Sequence, residues 1–123
     1  IESALMQETD FDFEIVIGDD MSTDNTRGII NQYIKDNPSK IRLVPSDKNV
    51  GAGLNSVRTL RACGGKYIAS LEGDDYWITK DKLQKQVDVL ENDSSLSMCF
   101  TDRSIIDETG NVIQKETIPF EKE

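Results

Sequence analysis

Three carboxylates crowd together in Glu72-Gly73-Asp74-Asp75, directly after the apolar, β-prone run Tyr67-Ile68-Ala69-Ser70-Leu71. Like charges repel at short range, so a chain that keeps such a cluster gains from a cation among them. A hard divalent ion is the simplest candidate. The pattern occurs a second time. Phe13-Glu14-Ile15-Val16-Ile17-Gly18 runs into Asp19-Asp20, and Met21-Ser22-Thr23-Asp24-Asn25-Thr26 follows. In open α/β sheets, ligands bind just beyond the carboxyl ends of parallel strands. Two strands that both end in acidic pairs therefore predict one shared, metal-dependent site. Plainer roles stand beside these. Asp19 and Asp20 could simply accept backbone N–H bonds in a turn. Tyr76 and Trp77 could be core aromatics rather than pocket walls for a planar ring or a sugar.

Hydrophobic spacing gives the elements that must position these groups. Ile1 to Gln7 reads as the tail of a helix. Phe13 to Ile17 is a near-continuous apolar run, as expected of a strand covered on both faces. Asp24, Asn25 or Thr26 caps a helix through about Asp36, with Ile29, Ile30, Tyr33 and Ile34 at helical spacing. Ile41 to Val44 is a short strand closed by Pro45. The next helix runs from about Leu54 to Cys63, with Leu54, Val57 and Leu60 apolar and Gly64-Gly65 as its stop. Tyr67 to Leu71 is expected as a third strand, Asp81 to Glu91 as a helix, and Leu96 to Thr101 as a fourth strand. Arg103 to Asp107 and Val112 to Lys115 form a hairpin around Glu108-Thr109-Gly110-Asn111. The charged tail, Glu116 to Glu123, has little to pack. This alternation predicts an α/β fold: a mostly parallel sheet with helices on both faces, plus a C-terminal β-hairpin.

The 123 residues fit one domain. Lys plus Arg is 14 and Asp plus Glu is 23, for a formal net charge of -9. That balance excludes DNA or RNA as the main partner, because phosphate neutralisation needs a basic face. A small phosphorylated ligand is compatible if a metal supplies the positive charge. No apolar stretch reaches the ~18 to 20 residues that span a bilayer, and no signal peptide is visible. Cys63 and Cys99 lack metal-ligand spacing and read as small hydrophobes in a reducing, cytoplasmic setting. His is absent, which removes His triads and His metal ligands from this chain. Gly51-Ala52-Gly53 reads as loop and cap. Ser56 stands where a dinucleotide fingerprint needs its third Gly, and the Gly-Lys-Ser/Thr of a P-loop is missing. The chain opens on Ile1 without an initiator Met, and α/β sheets seldom open on a partial helix. A strand before Ile1 is expected, and the sheet edge left in its place would favour self-association.

Taken together, these blocks resemble the family 2 glycosyltransferases of GT-A fold. Residues 13–26 are similar to that family's second strand and following loop. Asn49-Val50-Gly51 and Gly65-Lys66-Tyr67-Ile68-Ala69 resemble its Asn-x-Gly and Gly-x-Tyr-Ile segments. Glu72-Gly73-Asp74-Asp75-Tyr76-Trp77, with Lys82-Leu83-Gln84-Lys85-Gln86 after it, resembles its metal-binding Asp-x-Asp region. The resemblance implies donor binding at Asp19, Asp20, Ser22, Asn49, Gly51 and Asp74. In it, Asp20 would hydrogen-bond the nucleobase, typically uracil. Asp75, with Asp74, would bind Mn²⁺ or Mg²⁺ bridging the diphosphate. Glu72 replaces the usual first Asp. Asn55-Ser56-Val57 stands where the family has Ala-Arg-Asn, leaving Arg58 or Arg61 as substitute basic groups.

The implied protein is an inverting, metal-dependent glycosyltransferase of bacterial cell-envelope polysaccharide synthesis, using a UDP-sugar and a saccharide or lipid-linked saccharide acceptor. The chain would be its donor-binding half, with the first strand before Ile1 and the catalytic base downstream, and with little transferase activity alone. Two rivals are a Mg²⁺-binding phosphoacceptor receiver domain and a non-catalytic nucleotide- or sugar-binding module.

Overall fold

A computed structural model describes residues 1–117; the expectation for the tail beyond them lies outside the described residues. The elements run α1 (Glu2–Leu5), β1 (Ile15–Gly18), α2 (Thr26–Asp36), β2 (Ile41–Val44), α3 (Ala52–Ala62), α4 (Lys82–Asn92), β3 (Arg103–Ile106) and β4 (Val112–Glu116). The contact pattern divides the chain into two compact units, Ile1–Leu83 and Gln84–Glu123.

In the first unit β1 and β2 pair in parallel, from Ile15 opposite Ile41 to Gly18 opposite Val44. Parallel neighbours need a crossover, and α2 supplies it. The Asp24 carboxylate accepts the Thr26 N–H at 2.9 Å and so satisfies an orphan donor of the first turn of α2. Ile30 of α2 and Ile41 of β2 are buried, as are Ala4 and Leu83. The class read from the sequence stands: helices packed with a parallel sheet, and a separate antiparallel hairpin.

α3 packs against both strands with an unexpected face. Leu54, Val57 and Leu60 are exposed, whereas Asn55, Arg58 and Thr59 are partly buried. Polar side chains therefore meet the strand ends. Gly18 makes room for them, because a Cβ there would lie 1.9 Å from Thr59 Oγ1.

Two expected strands do not form. Among the described residues, Tyr67–Leu71 and Leu96–Thr101 carry no ladder, and each sheet has two strands only. Composition favours extension in both segments. A strand, however, also needs a neighbour for its N–H and C=O groups, and among the described residues neither segment has one.

The second unit has its hairpin where the sequence puts it. β3 and β4 are antiparallel, with a register irregularity between Ile105 and Ile106. Gly110 takes φ +86° in the turn, and Asp107 Oδ1 accepts the N–H groups of Thr109 and Asn111, both at 2.9 Å.

Candidate functional site

The carboxyl ends of β1 and β2 meet in a web of hydrogen bonds. Asp19 is buried, and its Oδ2 accepts from Arg27 Nε at 2.9 Å and from Arg27 Nη2. Its Oδ1 faces the Ser22 N–H at 3.3 Å. Hydrogen bonding by Ser22, and then by Arg27, holds the Asp19 carboxyl below its ordinary range, against the opposing effect of burial. Arg27 also reaches the Ser46 carbonyl at 3.3 Å, tying α2 to the loop after β2.

Asp20 points the other way. Its Oδ1 accepts from Val50 N and its Oδ2 from Gly51 N, both at 2.8 Å. Gly51 is the residue before α3 and has φ +84°, a left-handed conformation that favours glycine. Asp20 thus places a negative charge at the N-terminus of α3, where the helix dipole favours it. Asn49 Nδ2 returns a bond to the Asp20 carbonyl at 3.2 Å. Each carboxylate oxygen has a second lone pair, so Asp20 can still accept a donor from a ligand. Met21, immediately after, has φ 63°, a strained conformation for a non-glycine residue.

A cleft of about 1010 Å³ lies beyond the end of β1, lined from there and from parts of the segment that carries the second acidic pair. Asp19, Asp20 and Ser22 form one side of it, and Gly73, Tyr76 and Trp77 are also in its wall. Asp74 and Asp75 lie between those wall residues, and both are exposed. Gln7 fixes the chain that follows this segment. It is buried, donates to the Thr79 carbonyl at 2.7 Å and accepts the Leu83 N–H at 3.1 Å in the first turn of α4. Nothing in the sequence marks Gln7 for this, since its partners are 72 and 76 residues away.

The two acidic segments thus share a cleft without forming one carboxylate cluster. Among the described residues, no three His, Cys, Asp or Glu side chains group as a metal site. Hard ions of the Mg²⁺ type are commonly held by one or two carboxylates plus substrate phosphates. Asp74 and Asp75 fit that arrangement: among the described residues, neither carboxylate has a hydrogen bond or ion pair. Asp19 does not fit it, being committed to Arg27. Of the residues read as donor-binding, Asp20, Asn49 and Gly51 are bonded to one another, and Ser22 braces Asp19.

A parallel α/β unit with an acidic cleft beyond its strand ends has the arrangement in which open sheets commonly bind ligands. The pattern of Glycosyl transferase family 2 matches residues 1–123, and the chain belongs to that family. It is 39% identical over 104 residues to the uncharacterized protein Rv1520 of Mycobacterium tuberculosis, covering 85% of this chain and 30% of that protein. It is 37% identical over 103 residues to the putative teichuronic acid biosynthesis glycosyltransferase TuaG of Bacillus subtilis, covering 84% and 40%. Over 93 residues it is 42% identical to the UDP-Glc:alpha-D-GlcNAc-diphosphoundecaprenol beta-1,3-glucosyltransferase WfaP of Escherichia coli, covering 76% and 35%. The chain thus spans less than half the length of each of these relatives. No solved structure matches it. Among the described residues, no helix is long and apolar enough to cross a membrane. The resemblance to family 2 glycosyltransferases read from the sequence stands.

Proposed function

We propose that this chain is the donor-binding part of an inverting glycosyltransferase that uses a UDP-sugar. The observation that carries the reading is the cleft shared by the two acidic segments, with Asp20 on one side and the Asp74–Asp75 turn beside Tyr76 and Trp77 on the other. Asp20 is held by two backbone N–H groups and aims its remaining lone pairs at the N3–H of a pyrimidine. Tyr76 and Trp77 offer faces for stacking. Asp75, with Asp74, holds a divalent cation against the diphosphate. A cation held there would supply positive charge to the leaving nucleotide, which matters more in the transition state than in the ground state. The acceptor hydroxyl is activated by a carboxylate elsewhere in the parent protein, so the isolated chain has little transferase activity. The WfaP name supports a UDP donor and a lipid-linked acceptor; the TuaG name supports a part in polysaccharide biosynthesis.

Calorimetric titration with UDP, dTDP and ADP, with and without Mn²⁺, tests this. UDP is expected to bind only with the metal. Asp75→Asn should weaken it by about tenfold or more, and ADP should fail. UDP binding that ignores both Mn²⁺ and the substitution overturns the metal assignment. Equal binding of ADP overturns the base assignment.

A further inference from the structure

We propose that Arg58, with Asn55, is a positioning residue for the Asp19–Asp20 segment, and through it for donor binding; the second half of this rests on the reading above. Arg58 sends its three kinds of N–H to three acceptors. Nη2 donates to the Asp19 carbonyl at 2.5 Å, Nη1 to the Pro45 carbonyl at 2.5 Å and Nε to Asn55 Oδ1 at 2.9 Å. Asn55 Nδ2 then donates to the Gly18 carbonyl at 3.0 Å. These carbonyls lie at the end of β1 and just past the end of β2, where the ladder stops and leaves acceptors without partners. One side-chain pair on α3 closes both strand ends.

The geometry asks for a guanidinium. Its planar fork reaches divergent acceptors at once, whereas an ammonium is a point donor on a flexible stem. The clamp also closes a ring. Arg58 ties Asp19 to Pro45 from the α3 side, and the Asp20 carboxylate ties the same segment to Val50 and Gly51. The loop from Pro45 to Gly51 is therefore pinned to the end of β1 at both of its ends. Arg58 is accordingly a brace, and the role of a basic phosphate contact does not fall to it: its donors are turned to backbone carbonyls.

Two readings on one set of variants test the proposal. In Arg58→Lys, amide hydrogen exchange at Val50 and Gly51 should quicken by about tenfold, while exchange at Ile17 and Ile30 stays within about twofold of the parent. UDP–Mn²⁺ affinity should fall by about fivefold or more at unchanged global stability. Asn55→Ala, which keeps Arg58 but removes the link to Gly18, should move both readings the same way and serves if Arg58→Lys does not fold. Unchanged exchange at Val50 and Gly51 in both variants overturns the clamp, whatever UDP does. Quickened exchange with unchanged affinity overturns the positioning role. Should the parent chain fail to bind UDP while exchange quickens, the brace stands and the donor-site reading falls.

Discussion

Asp19–Asp20 and Asp74–Asp75 have the same composition, and each follows an apolar run, yet they sit in opposite surroundings. At the first pair every carboxylate oxygen has a donor: Arg27 and Ser22 on Asp19, and the amides of Val50 and Gly51 on Asp20. At the second pair both side chains are exposed, and among the described residues they have no partner. The difference comes from neighbours. β1 has β2 beside it and two helices supplying Arg27, Asn55 and Arg58. Among the described residues the 67–71 segment has no ladder partner, and the side chains of the turn after it are exposed. One pair is therefore structural as well as available to a ligand. The other is free to take a cation. Substitutions should separate the two: stability belongs to the first pair, and metal-dependent binding to the second.

The largest effect is expected at Asp19. Asp19→Ala leaves the Arg27 guanidinium facing a hollow and removes charge-assisted bonds, at a cost of about 2 to 3 kcal/mol in urea unfolding. Asp75→Ala should change stability by less than about 0.5 kcal/mol, as for other surface sites without partners. The acid limb sharpens this contrast. The Asp19 carboxyl is held below its ordinary range, so its contribution is complete above the unfolded value of about 3.9 and is lost as pH falls through the lower folded value. Unfolding measured from neutral pH downward should lose stability below about pH 4 in the parent. Asp19→Asn should flatten that limb. Equal costs at Asp19 and Asp75 would erase the distinction.

The glycines beside the two pairs make a second cut, of about 1 to 3 kcal/mol, the usual range for forcing atoms into a packed space. A Cβ at Gly18 would lie 1.9 Å from Thr59 Oγ1, whereas one at Gly73 meets nothing within 4 Å. Gly18→Ala should therefore lower the urea midpoint clearly, and Gly73→Ala should not. Pairing Gly18→Ala with Thr59→Ala should recover most of the loss. A loss that survives the double change would mean that something other than Thr59 fills the space.

The elements were largely legible because helical spacing is a local signal. α2, α3 and α4 each begin and end within about two residues of where periodicity and Gly, Pro or Asn signals put them. Tyr67–Leu71 and Leu96–Thr101 were misread for a physical reason: composition reports a preference for extension, and pairing is decided by a neighbour. The inward face of α3 was hidden for a related reason. Leu54, Val57 and Leu60 look like a core stripe, yet Asn55, Arg58 and Thr59 hold the strand ends. One cue was available. Asn55, Arg58 and Thr59 recur at helical spacing, which places a hydrogen-bonding stripe on one side of α3. Arg27 and Gln7 stayed unmarked in the sequence, and Arg58 was read only as a substitute basic group, because their partners are set by the tertiary fold.

The smallest expected effect probes why the two pairs differ, by way of a carboxylate outside the cleft. Neutral donors and the Arg27 charge act together at Asp19 while burial opposes them, so that residue alone cannot say whether neutral donors suffice to lower a carboxyl pKa. Asp107, in the turn between β3 and β4, separates them. It is only partly buried, yet Thr109 and Asn111 surround it with donors, and its carboxyl is lowered to about 2, first through the Thr109 side chain and then through the Asn111 backbone N–H. Hydrogen bonds to the charged form are the sufficient cause. The turn should hold above the unfolded carboxyl value of about 3.9 and loosen only as pH falls toward about 2. NMR titration of the Thr109 and Asn111 amide shifts should show that late midpoint. Asp107→Asn should abolish it without moving the acid limb that belongs to Asp19. A midpoint near the ordinary carboxylate value would mean that neutral donors do not suffice, and the Arg27 guanidinium would then carry the lowering at Asp19.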